Sequence, residues 1–153
     1  MTIGDPLDDT IAARLRESFA RQGLMAHLGA ELVQMQMGQV TIRLPFRREL
    51  TQQHGYFHAG STSAIADSAG GYAGYSMFPD DSEVLTVEFK LNLINPAQGD
   101  WLEAVGRVVK PGRTLTICQL DVWGIGPKGR VHVATGLQTL ICLQNRPGLP
   151  RKG

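Results

Sequence analysis

The sequence predicts an α+β domain in which a strongly curved antiparallel sheet wraps around one long helix. Residues 59–77 contain no proline and are rich in glycine and alanine. On a solvent-exposed helix each glycine would cost about 1 kcal/mol relative to alanine, so we expect this helix to be enclosed closely by other backbone. The strand-like segments after it are joined by tight turns, and such turns require antiparallel pairing.

The chain begins with a predicted flanking helix and a hairpin. Residues 8–23 place Ile11, Leu15 and other apolar side chains at helical spacing. Two alternating segments then lie on either side of Gly38, at 31–36 and 39–46, which is typical of two paired strands and their turn.

The long helix and four strands complete the predicted domain. Ser61, Thr62 or Ser63 could each cap the start of the helix. Turns rich in proline and glycine separate the strands, which are predicted at 84–94, 101–110, 114–124 and 131–143. We therefore expect an N-terminal helical segment (1–24), one domain (25–144) and a flexible tail (145–153).

Composition narrows the class of function. A net charge of +1 argues against a nucleic-acid binder, which needs a concentrated excess of Lys and Arg. No apolar run reaches the roughly 18 residues of a membrane span, and the first residues do not resemble a signal peptide. We expect a cytoplasmic protein that acts on small molecules, with Cys118 and Cys142 as buried free thiols.

Asp67 is the most informative residue of the sequence. It lies among Ala64, Ile65, Ala66 and Ala69 in the predicted helix, although a buried aspartate ion is costly and a poor helix former. We interpret it as a catalytic carboxylate. The alternative is a structural carboxylate that accepts hydrogen bonds from Ser63 or a neighbouring loop.

Residues 52–71, together with 86–97, resemble the hotdog-fold acyl-CoA thioesterases of the phenylacetate-degradation (PaaI-like) type. In that family a His-Gly-Gly sequence begins the central helix, and an acidic residue follows nine positions after the His. Here His58-Ala59-Gly60 and Asp67 keep that spacing, with Ala59 in place of the first glycine. The resemblance implies the hotdog fold and hydrolysis of acyl-CoA thioesters.

The resemblance also implies roles for individual residues. The backbone N–H of Ala59 would hold the thioester carbonyl, and Thr86 would lie near the attacking water. Gln52 would orient that water or the substrate, or it could only bond its own loop. The ring of His58 could contact substrate, or it could anchor the loop by hydrogen bonds. His54 and His58 lack the acidic residue and third ligand of a zinc site, so we expect no metal.

Substrate binding is assigned to two further groups of residues. Lys110 and Arg113, with Lys90, could bind the coenzyme A nucleotide or form an ordinary solvated turn. The acyl pocket would be lined by Tyr56, Phe57, Tyr72, Met77 and Phe78, although several of these could belong only to the core. Gly60, beside the free N–H groups at the start of the helix, is a further substrate-binding residue. Because coenzyme A is part of the substrate, no separate cofactor is expected, and neither is a nucleic-acid or membrane partner.

The spacing of the two reactive groups predicts a shared site. Ala59 and Asp67 are eight residues apart, or about 12 Å along a helix, which is too far for both to reach one carbonyl group. Two antiparallel copies would bring Asp67 of one to Ala59 of the other. We therefore expect a homodimer, and the family resemblance implies further assembly into a homotetramer. Two alternative functions are a hotdog dehydratase or hydratase and a non-catalytic acyl-CoA-binding module.

Overall fold

The computed structural model describes residues 1–145. These residues form one six-stranded sheet, entirely antiparallel, with strand order β1-β2-β4-β5-β6-β3, and a long helix packed against its inner face. The elements in chain order are α1 (Asp9–Ala20), α2 (Gly23–Leu28), β1 (Glu31–Gln36), β2 (Gln39–Pro45), α3 (Ala59–Tyr75), β3 (Ser82–Leu93), β4 (Trp101–Lys110), β5 (Leu115–Gly126) and β6 (Gly129–Gln144). The predicted fold class is confirmed.

The N-terminal helices cover one end of the core. Asp8 caps α1 by accepting a hydrogen bond from the Ile11 N–H at 2.8 Å. Leu15 of α1 and Met25 of α2 are almost fully buried in the same core as the sheet. The sequence did not predict α2, which ends at Gly29 in the left-handed conformation that favours glycine. This short helix crosses the expected boundary between residues 24 and 25.

Close packing explains why α3 is built from small residues. A Cβ atom added to Gly106 of β4 would collide with the backbone of Ala69 and Gly70. The sheet therefore approaches the helix at backbone distance, as the sequence predicts. Most residues of α3 are buried, including Ile65, Ala66 and Ala69.

The remaining strand predictions agree with the structure to within two residues at each end. Cys118 and Cys142 are buried free thiols, as predicted, and burial raises the pKa of the Cys118 thiol to about 12. No helix within residues 1–145 is long and apolar enough to cross a membrane. The predicted flexible tail spans residues 145–153. Apart from Asn145, these residues lie outside the described part of the chain.

Candidate active site

Asp67 lies half-buried in the middle of α3 and is held by two side chains of the sheet. Its Oδ1 accepts hydrogen bonds from Thr86 Oγ1 on β3 and from Gln138 Nε2 on β6, each at 2.7 Å. Its Oδ2 has no hydrogen-bond partner among the described residues. Ser63, the partner considered in the structural alternative, instead donates to the Ala59 carbonyl. The carboxylate is thus fixed through one oxygen and leaves the other available.

The start of α3 is capped by His58, and the predicted caps Ser61, Thr62 and Ser63 are wrong. His58 has an extended backbone, and its Nδ1 accepts a hydrogen bond from the Gly60 N–H at 2.7 Å. The helix therefore begins earlier than a serine or threonine cap would place it. The ring anchors the start of the helix, which is one of the two roles expected for it.

The Ala59 N–H is the free donor at this helix end. The N–H groups of Ser61 and Thr62 donate to the His58 carbonyl, and that of Gly60 is taken by the His58 ring. Across residues 1–145 the Ala59 N–H meets no acceptor, and Ala59 is exposed. A free N–H at the positive end of a helix dipole favours a negatively charged oxygen.

Gln52 bonds its own loop, and its amide nitrogen stays free. Its Oε1 accepts a hydrogen bond from the His54 N–H at 2.5 Å, so this oxygen shapes the loop. The same bond leaves the amide Nε2 as a free donor within the described chain. Gln52, Tyr56, Phe57 and Ala59 line one cavity of about 420 Å³, together with apolar residues such as Leu93 and Ile94.

Asp67 belongs to a different cavity, of about 320 Å³, which is also lined by Thr86, Tyr72 and residues of α1 and β3. The chain thus brings Asp67 and Thr86 together, and separately Gln52, Tyr56, Phe57 and Ala59. Gly60 and His58 line a third cavity on the α2 side of the helix start.

The Tyr72 hydroxyl is hydrogen-bonded to Ser18 and Gln22. Burial raises the pKa of this phenol, so it is uncharged at neutral pH.

The other predicted binding residues lie away from both cavities. Lys110 and Arg113 are exposed at the turn between β4 and β5. Lys90 does not join them, because β5 and β6 separate its strand from β4, a distance of three strand spacings or about 14 Å. Met77 and Phe78 follow the end of α3 and pack against the hydrophobic core.

A further polar side chain at this site, Gln138, was not predicted from the sequence. It points from β6 toward α3, is 1% exposed, and contacts both Asp67 and Thr86. The sequence did contain a signal for this role. Gln138 is a polar residue at an inward position of β6, where the other inward residues include Leu140 and Cys142. No group of three or more potential metal-ligating side chains occurs in the described part of the chain.

Comparison with known proteins identifies the family. The thioesterase superfamily pattern matches residues 54–128, which include Ala59, Asp67 and Thr86. A crystal structure of a thioesterase family protein from Silicibacter pomeroyi is 44% identical, with a TM-score of 0.86, over 88% of this chain and 98% of that chain. The chain belongs to the thioesterase superfamily. The predicted family resemblance is confirmed.

Two less similar proteins also match, one by its fold and one by its sequence. The Escherichia coli PaaI protein of the phenylacetic acid degradation operon is 17% identical, with a TM-score of 0.77, over 88% of this chain and 94% of that chain. A protein of Listeria monocytogenes named 1,4-dihydroxy-2-naphthoyl-CoA hydrolase is 21% identical over 100 residues, which cover 65% of this chain and 81% of that protein. Membership assigns the chain to a superfamily of thioester hydrolases.

Proposed function

We propose that this protein hydrolyses acyl-CoA thioesters to a free carboxylic acid and coenzyme A. The observation that supports this most directly is the state of Asp67, a carboxylate with one oxygen fixed by two donors and the other without a partner. Such a group can activate water or attack a thioester carbon directly. The CoA-specific name of the Listeria relative supports coenzyme A as the thiol component.

The free donors provide the second half of the chemistry. When the thioester carbon is attacked, its oxygen becomes negative, and the Ala59 N–H and the Gln52 amide can both donate to it. Collapse of this intermediate breaks the C–S bond and releases coenzyme A as the thiolate, which takes up the proton that Asp67 removed from water. If Asp67 attacks directly, the acyl group is left on Asp67 as an anhydride, and water then hydrolyses this anhydride to the free acid. Asp67 as base or nucleophile and Ala59 as oxyanion donor therefore have complementary roles.

A homodimer with shared sites fits these positions. Asp67 and Ala59 line separate cavities of one chain, and eight residues of helix separate them. β3 is the last strand at one edge of the sheet and exposes apolar residues, among them Val87 (56%), Phe89 (42%) and Leu93 (55%). An exposed apolar edge strand favours pairing with another strand. A second copy, antiparallel along β3, would bring Asp67 near the Ala59 of its partner, and such dimers could assemble into a tetramer.

A panel of acyl-CoA substrates tests the proposal. We expect the protein to release free thiol from at least one aryl, medium-chain or long-chain acyl-CoA, measured with a chromogenic thiol reagent. The matched N-acetylcysteamine thioester lacks the nucleotide and should have a lower kcat/KM, because remote binding energy contributes to catalysis. Absence of thiol release from every acyl-CoA of the panel would contradict the proposed function.

Two substitutions at Gln52 separate its two roles. Gln52→Ala should lower kcat by about 10- to 100-fold with little change in KM, because positioning acts mainly in the transition state. Gln52→Glu keeps an oxygen for the His54 N–H and removes the amide donor. If the donor matters, the Glu variant is as impaired as the Ala variant. Wild-type kinetics for Gln52→Glu would assign Gln52 to the loop alone.

A further inference from the structure

Gln138 makes a set of contacts that the family resemblance does not assign. Its Nε2 donates to Asp67 Oδ1 at 2.7 Å, and lies 3.0 Å from the Asp67 carbonyl oxygen and 3.2 Å from Thr86 Oγ1. The amide therefore lies at the junction of α3, β3 and β6. Three oxygens share the two N–H groups of one side chain.

The orientation of this amide is fixed by its neighbours. If the amide were rotated by 180°, Gln138 Oε1 would face the carboxylate and the carbonyl of Asp67, and two acceptors would repel each other. In the observed orientation Oε1 is buried and has no hydrogen-bond partner in residues 1–145. A buried carbonyl without a partner lowers the stability of the fold. The contacts of Nε2 must therefore serve a role other than stability.

The helix is adapted to this side chain. A Cβ atom added to Gly70, one turn after Asp67, would collide with Gln138 Oε1 and with Leu120. The absence of a side chain at Gly70 therefore provides the space in which the amide lies. Gly70 and Gln138 form a matched pair across the interface of helix and sheet.

We propose that Gln138 is a positioning residue that orients Asp67 for catalysis and makes Oδ2 the reacting oxygen. This inference rests on the proposed thioesterase function. Gln138 and Thr86 both donate to Oδ1, and two donors from different strands fix the rotation of the carboxylate. Oδ2 stays without a partner in residues 1–145, and Asp67 lines a cavity together with residues of β3. Gln138 itself is buried and acts only through Asp67.

Gln138→Met tests the proposal, since Met has a similar length and shape but cannot donate. We expect kcat to fall about 10- to 100-fold with KM changed less than about threefold, because misorientation of a catalytic group affects the transition state. The melting temperature should stay within about 4 °C of wild type, because the variant also removes the unpartnered Oε1. A merely structural glutamine would show the reverse, with reduced stability and normal kcat.

Further variants make the result decisive. Gln119→Met is the matched control, because Gln119 lies on the outer face of β5 and donates to Thr135 Oγ1, and its kcat should equal that of wild type. Gln138→Glu places an oxygen against Asp67 Oδ1 and should lose at least as much activity as the Met variant. Thr86→Val combined with Gln138→Met should lower kcat by less than the product of the single effects, because both donors act on one oxygen.

The outcomes distinguish this inference from the proposed function. If Asp67→Asn is inactive while Gln138→Met and Gln138→Glu both keep wild-type kcat, the positioning role is wrong and the thioesterase proposal stands. If Asp67→Asn remains active, the proposed role of Asp67 fails, and the role of Gln138 fails with it.

Discussion

Replacement of Asp67 by asparagine should abolish turnover of acyl-CoA and leave the fold intact. The amide oxygen of Asn can still accept hydrogen bonds from Thr86 and Gln138, so the helix and sheet keep their contacts. Oδ2 is then replaced by an NH₂ group. This NH₂ group can neither accept a proton from water nor attack a carbon. A general base typically contributes 10²- to 10⁴-fold, and a nucleophile more.

The measurement is kcat for the best substrate of the panel, with acyl-CoA binding and the melting temperature as checks on folding. Asp81→Asn is a suitable control, because Asp81 is exposed in the turn before β3. This variant should have wild-type kinetics. Hydrolysis by Asp67→Asn at near the wild-type rate would remove Asp67 from the mechanism.

Two inactive variants should restore activity when they share a dimer. Asp67→Asn removes the carboxylate, and Ala59→Pro removes the backbone donor. Proline is well tolerated here, because Ala59 is the first residue of α3 and a helix accepts proline at that position. His58 already has the extended backbone that a following proline requires. Each variant alone should therefore fold and be inactive.

Co-expression of the two variants tests whether sites are shared. In each heterodimer, one site combines an intact Asp67 from one chain with an intact Ala59 N–H from the other. With random pairing, half of the dimers are heterodimers, and each heterodimer has one complete site out of two. Activity should therefore reach about a quarter of wild type. Ala59→Gly, which keeps the N–H, should remain active by itself. If heterodimers form and no activity returns, each site lies within a single chain.

The sequence was sufficient to predict most of the fold. The strand segments alternate apolar and polar residues, and the turns between them contain glycine and proline, so local patterns determine where each strand begins and ends. The small residues of α3 predicted its enclosure by the sheet. On an exposed helix, glycines would lower stability, and no packing contact would compensate for the loss. The short helix α2 was missed, since six residues are too few to show a helical period.

At the candidate site, local spacing predicted only what lies within one helix. Asp67, Ala59 and the separation between them follow from the helical rise, and these led to the expectation of a shared site. The cap was wrong because a histidine ring, and not a hydroxyl, accepts the hydrogen bond from Gly60. Which side chain caps a helix depends on the path of the preceding loop, and the sequence does not give that path.

The family resemblance placed Thr86 at the site, but its hydrogen bond to Asp67 and the whole role of Gln138 were decided by tertiary structure. Thr86 lies 19 positions and Gln138 lies 71 positions away from it along the chain. The pairing of β3 with β6 shifts register between Thr86 and Glu88, which a period of two cannot predict. The sequence by itself therefore determined the fold class, the family and the candidate catalytic carboxylate. Only the register between strands, set by packing around α3, determined which donors orient that carboxylate and which of its oxygens stays free.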